Sequence, residues 1–143
     1  MTGLFALLCA LQTSFTAANY LSTRGNQIVN RFGDNVRIAG VNWFGFETDI
    51  YVPYGLSERS YKSLLNQAKD IGFNTLRLPF SGDMLHITAT ELTMNYELNP
   101  ELVGLTPLEV LDKVIEYCEE IDMRIFLDRH SCISDHYFVE NLW

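Results

Sequence analysis

The chain has 143 residues, of which 48% are hydrophobic, 13% aromatic and 20% charged. These fractions, with only nine glycines and four prolines, exclude an intrinsically disordered, collagen-like or low-complexity protein and leave a globular one. Eighteen acidic residues against ten basic ones give a formal net charge of −8. We expect no nucleic-acid partner, because the chain has no basic patch to neutralise phosphates.

The N-terminal segment has the pattern of a secretory signal peptide. An apolar run covers residues 4–11, and the small residues Thr16 and Ala18 stand at the positions that signal peptidase reads. The run is far shorter than the ~20 residues that cross a bilayer, so no membrane-spanning segment is expected. No Lys or Arg precedes Arg24, which leaves a packed or disordered N-terminal segment as the alternative. The prediction is a signal peptide over residues 1–18 and a secreted, extracellular protein over residues 19–143.

A β-hairpin and a first strand are predicted next. Residues 27–29 and 36–38 flank a turn over residues 31–35 that is rich in side chains tolerating positive φ. The second arm continues into the apolar run 38–44. Such a run is typical of a strand that is buried on both faces.

Two helices are predicted from apolar periodicity and capping signals. The first has Ser57 as its N-cap and Gly72 at its end. The second begins with a capping box over residues 106–109 with Pro107 at the first helical position, and Asp122 stands where Gly usually ends a helix. The apolar positions of the two helices are Tyr61, Leu64, Leu65 and Ala68, then Leu108, Leu111, Val114, Ile115, Cys118 and Ile121.

The remaining strands alternate with these helices. The second strand is predicted over residues 74–79, where Pro79 ends it, and the third over residues 124–128, with a long polar connection over residues 81–104. No repeat or linker predicts a division into two domains. Strand–helix alternation favours parallel pairing with right-handed crossovers, hence an α/β fold that is either doubly wound or a (β/α) barrel. In both, the chemistry lies at the carboxyl ends of the strands.

Polar side chains stand at those strand ends. Asp128 and His130 share one face of the third strand because side chains alternate along a strand, and Arg77 lies on the adjacent strand. An ion pair between Arg77 and Asp128 is the structural interpretation, since a buried charge needs a partner. For His130 a structural and a catalytic role remain equally open. Glu47 is either a catalytic carboxylate or, as we favour, a solvated loop acid.

The chain contains no pattern typical of a metal or cofactor site. His86, His130 and His136 lack the spacing of metal ligands. The chain also has no phosphate-binding glycine loop and no GxSxG nucleophile motif. We therefore expect no metal and no cofactor.

The two cysteines beyond the signal segment are predicted to be free thiols. Cys118 falls near one end of the second helix, and Cys132 lies just past the opposite end of the third strand. Several strand residues at ~3.3 Å each separate them, which exceeds the ~7 Å that a disulfide tolerates between Cα atoms. Cys118 is expected to be buried.

Three segments match the strands of one family: residues 38–48, 74–81 and 125–130. They resemble the first three strands of glycoside hydrolase family 5 endoglucanases, and residues 104–113 are similar to the start of the helix before the third strand. The hairpin also fits the one that closes the bottom of those barrels. The resemblance, from about Tyr20 to Trp143, implies a (β/α)8 TIM barrel present only as its first three strands and two helices plus an N-terminal hairpin.

The resemblance implies retaining hydrolysis of β-1,4-linked glucan. Two glutamates on strands four and seven perform this reaction, about 5–5.5 Å apart, and the acid/base belongs to an Asn-Glu-Pro motif that the chain lacks. At roughly 37 residues per β/α unit, eight units need about 300 residues. Both catalytic glutamates are therefore expected to be missing, and the chain alone is expected to be inactive.

What the resemblance carries over is a set of supporting and substrate-binding residues. Arg77 matches the strand-two arginine that contacts the nucleophile and keeps it ionised, and His130 matches the strand-three histidine that helps bind sugar hydroxyls. Trp43 matches a first-strand aromatic, for which sugar stacking and a core role are equally open. The implied partner is a β-glucan polysaccharide, and the oligomeric state is not predicted.

Two other interpretations remain open. The chain could be a secreted non-catalytic module, derived from that barrel, that binds glycans or a protein. A complete small α/β domain of another family would need a fourth strand, and the sequence shows no such strand.

Overall fold

The computed structural model describes residues 20–88 and 92–134. The predicted signal peptide over residues 1–18, as well as His136, lies outside the described residues. The chain divides into two compact units, Met1–Arg37 and Ile38–Trp143, a division that the sequence does not predict. It arises because the hairpin of the first unit closes on itself through short-range pairing.

The first unit contains a hairpin of two short antiparallel strands. They are β1 (Ser22–Arg24) and β2 (Gln27–Val29). Gly25, between them, has φ 62°. A tight hairpin turn needs this left-handed backbone conformation, which glycine adopts without steric cost.

The predicted pairing of residues 27–29 with 36–38 forms only in part. Val29 and Asn35 form an isolated antiparallel bridge, and the amide of Val36 donates to the carbonyl of Ile28 at 2.8 Å, but residues 36–38 form no strand. Asn30 accounts for the difference, because its side-chain oxygen accepts hydrogen bonds from the amides of Phe32 and Asp34, both at 2.9 Å. These bonds hold the segment as a turn instead of extending the strand.

A parallel three-stranded sheet forms the second unit. Its order is β3 (Gly40–Asn42), β4 (Thr75–Ser81) and β5 (Arg124–Ser131). Helix α1 (Tyr61–Asp70) connects β3 to β4, and helix α2 (Pro107–Glu120) connects β4 to β5. The predicted α/β alternation with parallel pairing is confirmed. Strand β5 runs beyond its predicted end at residue 128.

Strand β3 is shorter and more exposed than predicted. None of its residues is buried, because β3 lies at the edge of the sheet with β4 as its neighbour. The prediction of a strand over residues 38–44 buried on both faces is therefore wrong. Gly45 has φ 138°, and a Cβ there would lie 2.1 Å from the carbonyl oxygen of Val52, so glycine allows the chain to turn back tightly after the strand.

Pro79 does not end β4, contrary to prediction, since the strand continues to Ser81. The carbonyl of Arg77 accepts a hydrogen bond from the amide of Trp43 at 3.0 Å, on the β3 side of the strand. Backbone groups of alternate residues face the same side, so Pro79 also faces β3. Because β3 has already ended at Asn42, the missing N–H of Pro79 costs no ladder hydrogen bond.

Helix α1 begins later than predicted. Its N-cap is Ser60, whose hydroxyl oxygen accepts a hydrogen bond from the amide of Ser63 at 3.2 Å, and not Ser57. Gly72 follows the helix with φ 104°, as the end signal predicts. The start differs because both serines suit an N-cap, and only Ser60 has the N–H of Ser63 within reach.

The capping box that starts α2 is confirmed. The Thr106 hydroxyl accepts the amide of Glu109 at 3.2 Å, and the Glu109 carboxylate accepts the amide of Thr106 at 2.7 Å. Asp122 after the helix has φ 51°, so an aspartate takes the left-handed position that Gly usually occupies. The predicted apolar stripe is partly wrong, since Leu108 is 41% exposed and Val110 is fully buried in its place.

The core joins β4 to both helices. Leu78 of β4, Leu65 of α1 and Val114 of α2 belong to one buried cluster. The connection predicted over residues 81–104 is irregular, with 3₁₀ turns at Asp83–His86 and Pro100–Leu102. Within residues 20–88 and 92–134, no helix is both long enough and apolar enough to span a bilayer.

Candidate functional site

Three polar side chains meet on one face of the sheet: Arg77 lies near the middle of β4, and Asp128 and His130 lie in the carboxyl-terminal half of β5. An Nη2 atom of Arg77 donates to Oδ2 of Asp128 in an ion pair. Nδ1 of His130 lies 2.9 Å from the same oxygen and 3.3 Å from Nη2 of Arg77. The predicted Arg77–Asp128 pair and the shared face of Asp128 and His130 are both confirmed.

The contacts of Asp128 determine the hydrogen-bonding role of His130. A carboxylate only accepts and a guanidinium only donates, so Nδ1 of His130 bonds to Asp128 only when it carries a proton. The 2.9 Å contact with Asp128 is shorter than the 3.3 Å contact with Arg77, which favours this arrangement. In the neutral ring Nε2 is then the acceptor. The cluster therefore fixes both the orientation and the tautomer of the imidazole.

The cluster is partly open to solvent. The side chains of Arg77, Asp128 and His130 are 32%, 25% and 30% exposed. Such exposure screens the charges and lowers the contribution of the ion pair to stability. It also leaves the polar atoms accessible, which suits residues that contact another molecule better than residues that only hold the fold together.

Trp43 lies next to this region but is held mainly by the protein. Its indole packs against the hydrophobic core, and Nε1 donates to the carbonyl of Tyr54 at 2.9 Å. The neighbouring rings of Phe44 and Tyr54 are stacked, with centroids 4.9 Å apart. No contact brings the indole into the Arg77 cluster within the described part of the chain, so sugar stacking by Trp43 stays a prediction.

Glu47 is part of its own loop. Its carboxylate accepts the amide of Gly45 at 2.7 Å, two residues away. A carboxylate used in this way stabilises the turn that follows β3, which fits the loop-acid interpretation. Across residues 20–88 and 92–134, no group of three His, Cys, Asp or Glu side chains is arranged to hold a metal ion.

Sequence reasoning missed a second polar group at the same end of the sheet. Tyr51, Asp83 and Ser134 follow β3, β4 and β5 respectively, and hydrogen bonds join them. The strand-end rule points to Asp83, which lies two residues past β4. Nothing in the sequence identifies its partners, because Tyr51 and Ser134 are 83 residues apart. Both predicted free cysteines are confirmed, with Cys118 buried and Cys132 exposed.

The sequence model of one protein family, Cellulase (glycosyl hydrolase family 5), matches residues 29–143. The chain belongs to this family. It is 40% identical over 111 residues to an endoglucanase of Paenibacillus polymyxa, covering 78% of this chain and 28% of that protein. It is 38% identical over 127 residues to the major extracellular endoglucanase of Xanthomonas campestris pv. campestris, covering 89% of this chain and 26% of that protein. The family 5 chain thus spans little more than a quarter of these relatives.

Solved structures of family 5 enzymes superpose on the chain. The catalytic domain of the Xanthomonas campestris endoglucanase aligns with a TM-score of 0.76 at 38% identity, covering 87% of this chain and 35% of that one. An endocellulase of Pyrococcus horikoshii, solved in complex with cellotetraose, aligns with a TM-score of 0.74 at 34% identity, covering 82% and 33%. The three parallel strands β3–β5 and the helices α1 and α2 are therefore part of a (β/α)8 barrel, as predicted.

Proposed function

We propose that residues 19–143 are the N-terminal portion of the catalytic domain of a secreted, retaining glycosidase that cleaves β-1,4-glucan, and that residues 1–18 are its signal peptide. The endoglucanase relatives support the reaction class, and the cellotetraose complex of the Pyrococcus horikoshii enzyme supports the ligand class. One relative is described as extracellular, which supports secretion.

The observation that carries this proposal is the Arg77–Asp128–His130 cluster, which extends toward the carboxyl ends of two parallel strands. In this fold the active site is built at that end. With Nδ1 bonded to Asp128, Nε2 of His130 is an acceptor for the proton of a sugar hydroxyl. The guanidinium of Arg77 places a positive charge there, and a nearby positive charge keeps a carboxylate ionised. The nucleophile of a retaining glycosidase is an ionised carboxylate, so the positive charge of Arg77 suits a position beside it.

The two carboxyl groups that perform the reaction belong, in this proposal, to strands beyond β5. The chain contains no Asn-Glu-Pro sequence. Without an acid/base and a nucleophile the glycosidic bond is neither protonated nor attacked. We therefore expect the 143-residue chain to release no reducing sugar from a soluble β-glucan.

A chimeric protein, which we call the completed barrel, tests the proposal. It joins residues 19–134 of this chain to the part of the Xanthomonas campestris endoglucanase that follows the segment matched by this chain. We expect this protein to hydrolyse a soluble β-glucan, and Arg77→Lys to lower kcat/KM by about 10²-fold, because a point charge does not reproduce the planar fork of guanidinium donors. Arg129→Lys is the matched control, since Arg129 is exposed on the opposite face of β5.

The outcomes are distinct. Hydrolysis by the isolated chain would show that the essential carboxyl groups lie within it, contrary to the proposal. A completed barrel that folds but is inactive, or one in which Arg77→Lys and Arg129→Lys behave alike, would remove the role given to the cluster. Secretion is tested separately by N-terminal sequencing of the exported protein, for which we expect residue 19 as the first residue.

A further inference from the structure

The loops that follow the three parallel strands are joined by one chain of hydrogen bonds. Tyr51 lies in the loop after β3, Asp83 follows β4, and Ser134 follows β5. The Tyr51 and Ser134 hydroxyl oxygens are 2.7 Å apart. Oδ2 of Asp83 accepts both the amide and the hydroxyl of Ser134, each at 2.8 Å. We call these three residues the loop relay.

The direction of each hydrogen bond in the loop relay follows from the carboxylate. Oδ2 of Asp83 only accepts, so the Ser134 hydroxyl gives its proton to Asp83. The Ser134 oxygen is then an acceptor, and Tyr51 must donate to it. Oδ1 of Asp83 is buried and has no hydrogen-bond partner among the described residues. Ser134 gives Oδ2 two hydrogen bonds, and the Ser81 side chain also stabilises the carboxylate, so Ser134 is its main partner from the segment after β5.

The ionised form of Asp83 is favoured in this arrangement. Burial raises the pKa of the Asp83 carboxyl, but its hydrogen bonds, led by the one from the Ser134 amide, lower it by more. The resulting pKa lies below the ordinary value of an aspartate. Because a charged acceptor makes stronger hydrogen bonds than a neutral one, the loop relay is at its strongest when Asp83 is ionised.

The segment that follows His130 is held to the end of β4 at several points. The amide of Gly82 donates to the carbonyl of Ser131 at 2.9 Å, and the amide of Asp83 donates to the carbonyl of Cys132 at 3.1 Å. A Cβ at residue 82 would lie 2.8 Å from that Cys132 oxygen, so only glycine allows this close approach. With the Ser134 contacts, these bonds fix residues 131–134 beside His130.

Tyr51 is held in a backbone conformation that tyrosine rarely adopts. Its φ is 54°, in the left-handed region where a bulky residue is strained. Such strain persists only where the surrounding structure imposes it, and it occurs often at functional sites. The amide of Tyr51 donates to the carbonyl of Thr48 at 3.2 Å, and its hydroxyl is bonded to Ser134. The loop after β3 is thus fixed to the segment after β5.

We propose that Asp83 is a positioning residue for the cleft of the proposed glycosidase, acting through Ser134 and Tyr51 to hold the loops after β3 and β5 in one arrangement beside His130. This inference rests on the proposed function. Among the described residues, the loop relay makes no hydrogen bond to Arg77, Asp128 or His130, so it acts on the loops and not on the strand-end cluster. It preorganises the wall that a glucan chain contacts, which reduces the ordering that binding would otherwise require.

A break in the loop relay therefore weakens binding more than it slows the reaction. Substrate must then order the loops itself, which raises KM and leaves kcat nearly unchanged. One hydrogen bond corresponds to a change of roughly threefold to tenfold. Tyr51→Phe removes the hydrogen bond between Tyr51 and Ser134 and should raise KM by that factor. Ser134→Ala removes the same bond together with the hydroxyl bond to Asp83, so it should raise KM somewhat more, and the double variant should be no worse than Ser134→Ala alone. Asp83→Ala should have a larger effect, because it removes both acceptor bonds to Ser134.

The test has two arms. The first measures KM and kcat for cellotetraose with the completed barrel carrying each variant, with Ser57→Ala as the control, because Ser57 is an exposed serine in the loop before α1. The second measures amide hydrogen exchange at Asp83 and Ser134 in the 143-residue chain, which needs no activity. Tyr51→Phe leaves both acceptors in place, the Cys132 carbonyl for the Asp83 amide and the Asp83 carboxylate for the Ser134 amide. Faster exchange of these two amides in Tyr51→Phe therefore shows that the loops have become more mobile.

A several-fold, non-additive rise in KM with kcat within twofold, together with faster exchange at both amides, is the expected result. An unchanged KM, a fall in kcat alone, or additive effects of Tyr51→Phe and Ser134→Ala would overturn the proposal, since a purely structural role lowers stability without raising KM. If the unsubstituted completed barrel is inactive, the proposed function fails. The loop relay is then decided by exchange alone, and unchanged protection in Tyr51→Phe refutes it.

Discussion

The buried amide of Asn99 joins three segments of the irregular connections around α1. Asn99 is 1% exposed. Its Oδ1 accepts the amide of Tyr61 at 2.9 Å, and its Nδ2 lies 3.2, 3.3 and 3.0 Å from the carbonyl oxygens of Leu56, Arg59 and Asn95. One acceptor therefore faces a donor and one donor group faces three acceptors. Asn99→Asp therefore separates the contribution of the hydrogen bonds of this side chain from the contribution of its packing.

Asn99→Asp keeps the volume and one acceptor but removes both N–H donors. The second carboxylate oxygen then faces the three carbonyl oxygens. The carbonyl oxygens of Leu56 and Asn95 still accept backbone amides, from Asn95 and Asn99, so the main cost is a buried carboxylate that faces carbonyl oxygens. A buried charge without a partner costs about 3–5 kcal/mol, and we therefore expect a loss of roughly 4 kcal/mol at pH 7. For a chain of this size that corresponds to a fall in Tm of about 10–20 °C.

The effect should also depend on pH. Burial and the facing carbonyls raise the pKa of the new carboxyl above that of the unfolded chain, about 3.9. Because the pKa of the carboxyl is higher in the folded state than in the unfolded state, the folded protein holds the protonated form at acidic pH. This form can donate one hydrogen bond. The deficit relative to the wild type should therefore be smallest at acidic pH and should grow as pH rises through the folded pKa.

Thermal unfolding of the wild type, Asn99→Asp and Asn95→Asp at several pH values measures this. Asn95→Asp is the matched control, because the oxygen of the Asn95 side chain already accepts the amides of Glu97 and Leu98 at 2.9 and 3.2 Å, a role that a carboxylate keeps. We expect it to change stability by less than about 0.5 kcal/mol. If Asn99→Asp were as mild as this control, packing and not hydrogen bonding would account for the burial of Asn99.

Two further predictions concern α2 and the cysteines. Thr106→Ala removes the N-cap and should lower the free energy of unfolding, measured by urea denaturation, by about 1 kcal/mol. Thr106→Ser keeps a capping hydroxyl and should lose much less. Equal losses in the two variants would contradict the capping role. Burial raises the pKa of the Cys118 thiol to about 12. A maleimide at neutral pH should therefore label Cys132 in the folded chain and Cys118 only in denaturant, and labelling of Cys118 at the rate of Cys132 without denaturant would show that the core is open.

The features predicted correctly from the sequence are those that depend on a few neighbouring residues. The capping box needs only Thr106, Pro107 and Glu109, so its hydrogen bonds form whenever the helix does. The shared face of Asp128 and His130 follows from the two-residue period of a strand. The Arg77–Asp128 pair needed one further step, the adjacency of two parallel strands, which strand–helix alternation favours. The alternation leaves a doubly wound sheet and a barrel both open, and the resemblance of residues 38–48 to the first strand of family 5 endoglucanases predicted the barrel.

Other features depended on neighbours that are distant in sequence. Pro79 lies within β4 because β3 has already ended beside it, and a missing N–H costs nothing where no partner strand remains. The loop relay joins Tyr51 to Ser134 across 83 residues, and no local pattern marks either residue. Short spacings along the chain suffice to predict the order of strands and helices and the residues of the strand-end cluster. Where the strands stop pairing and which loops bond to each other depend instead on atoms that are distant in sequence and meet only in the folded chain.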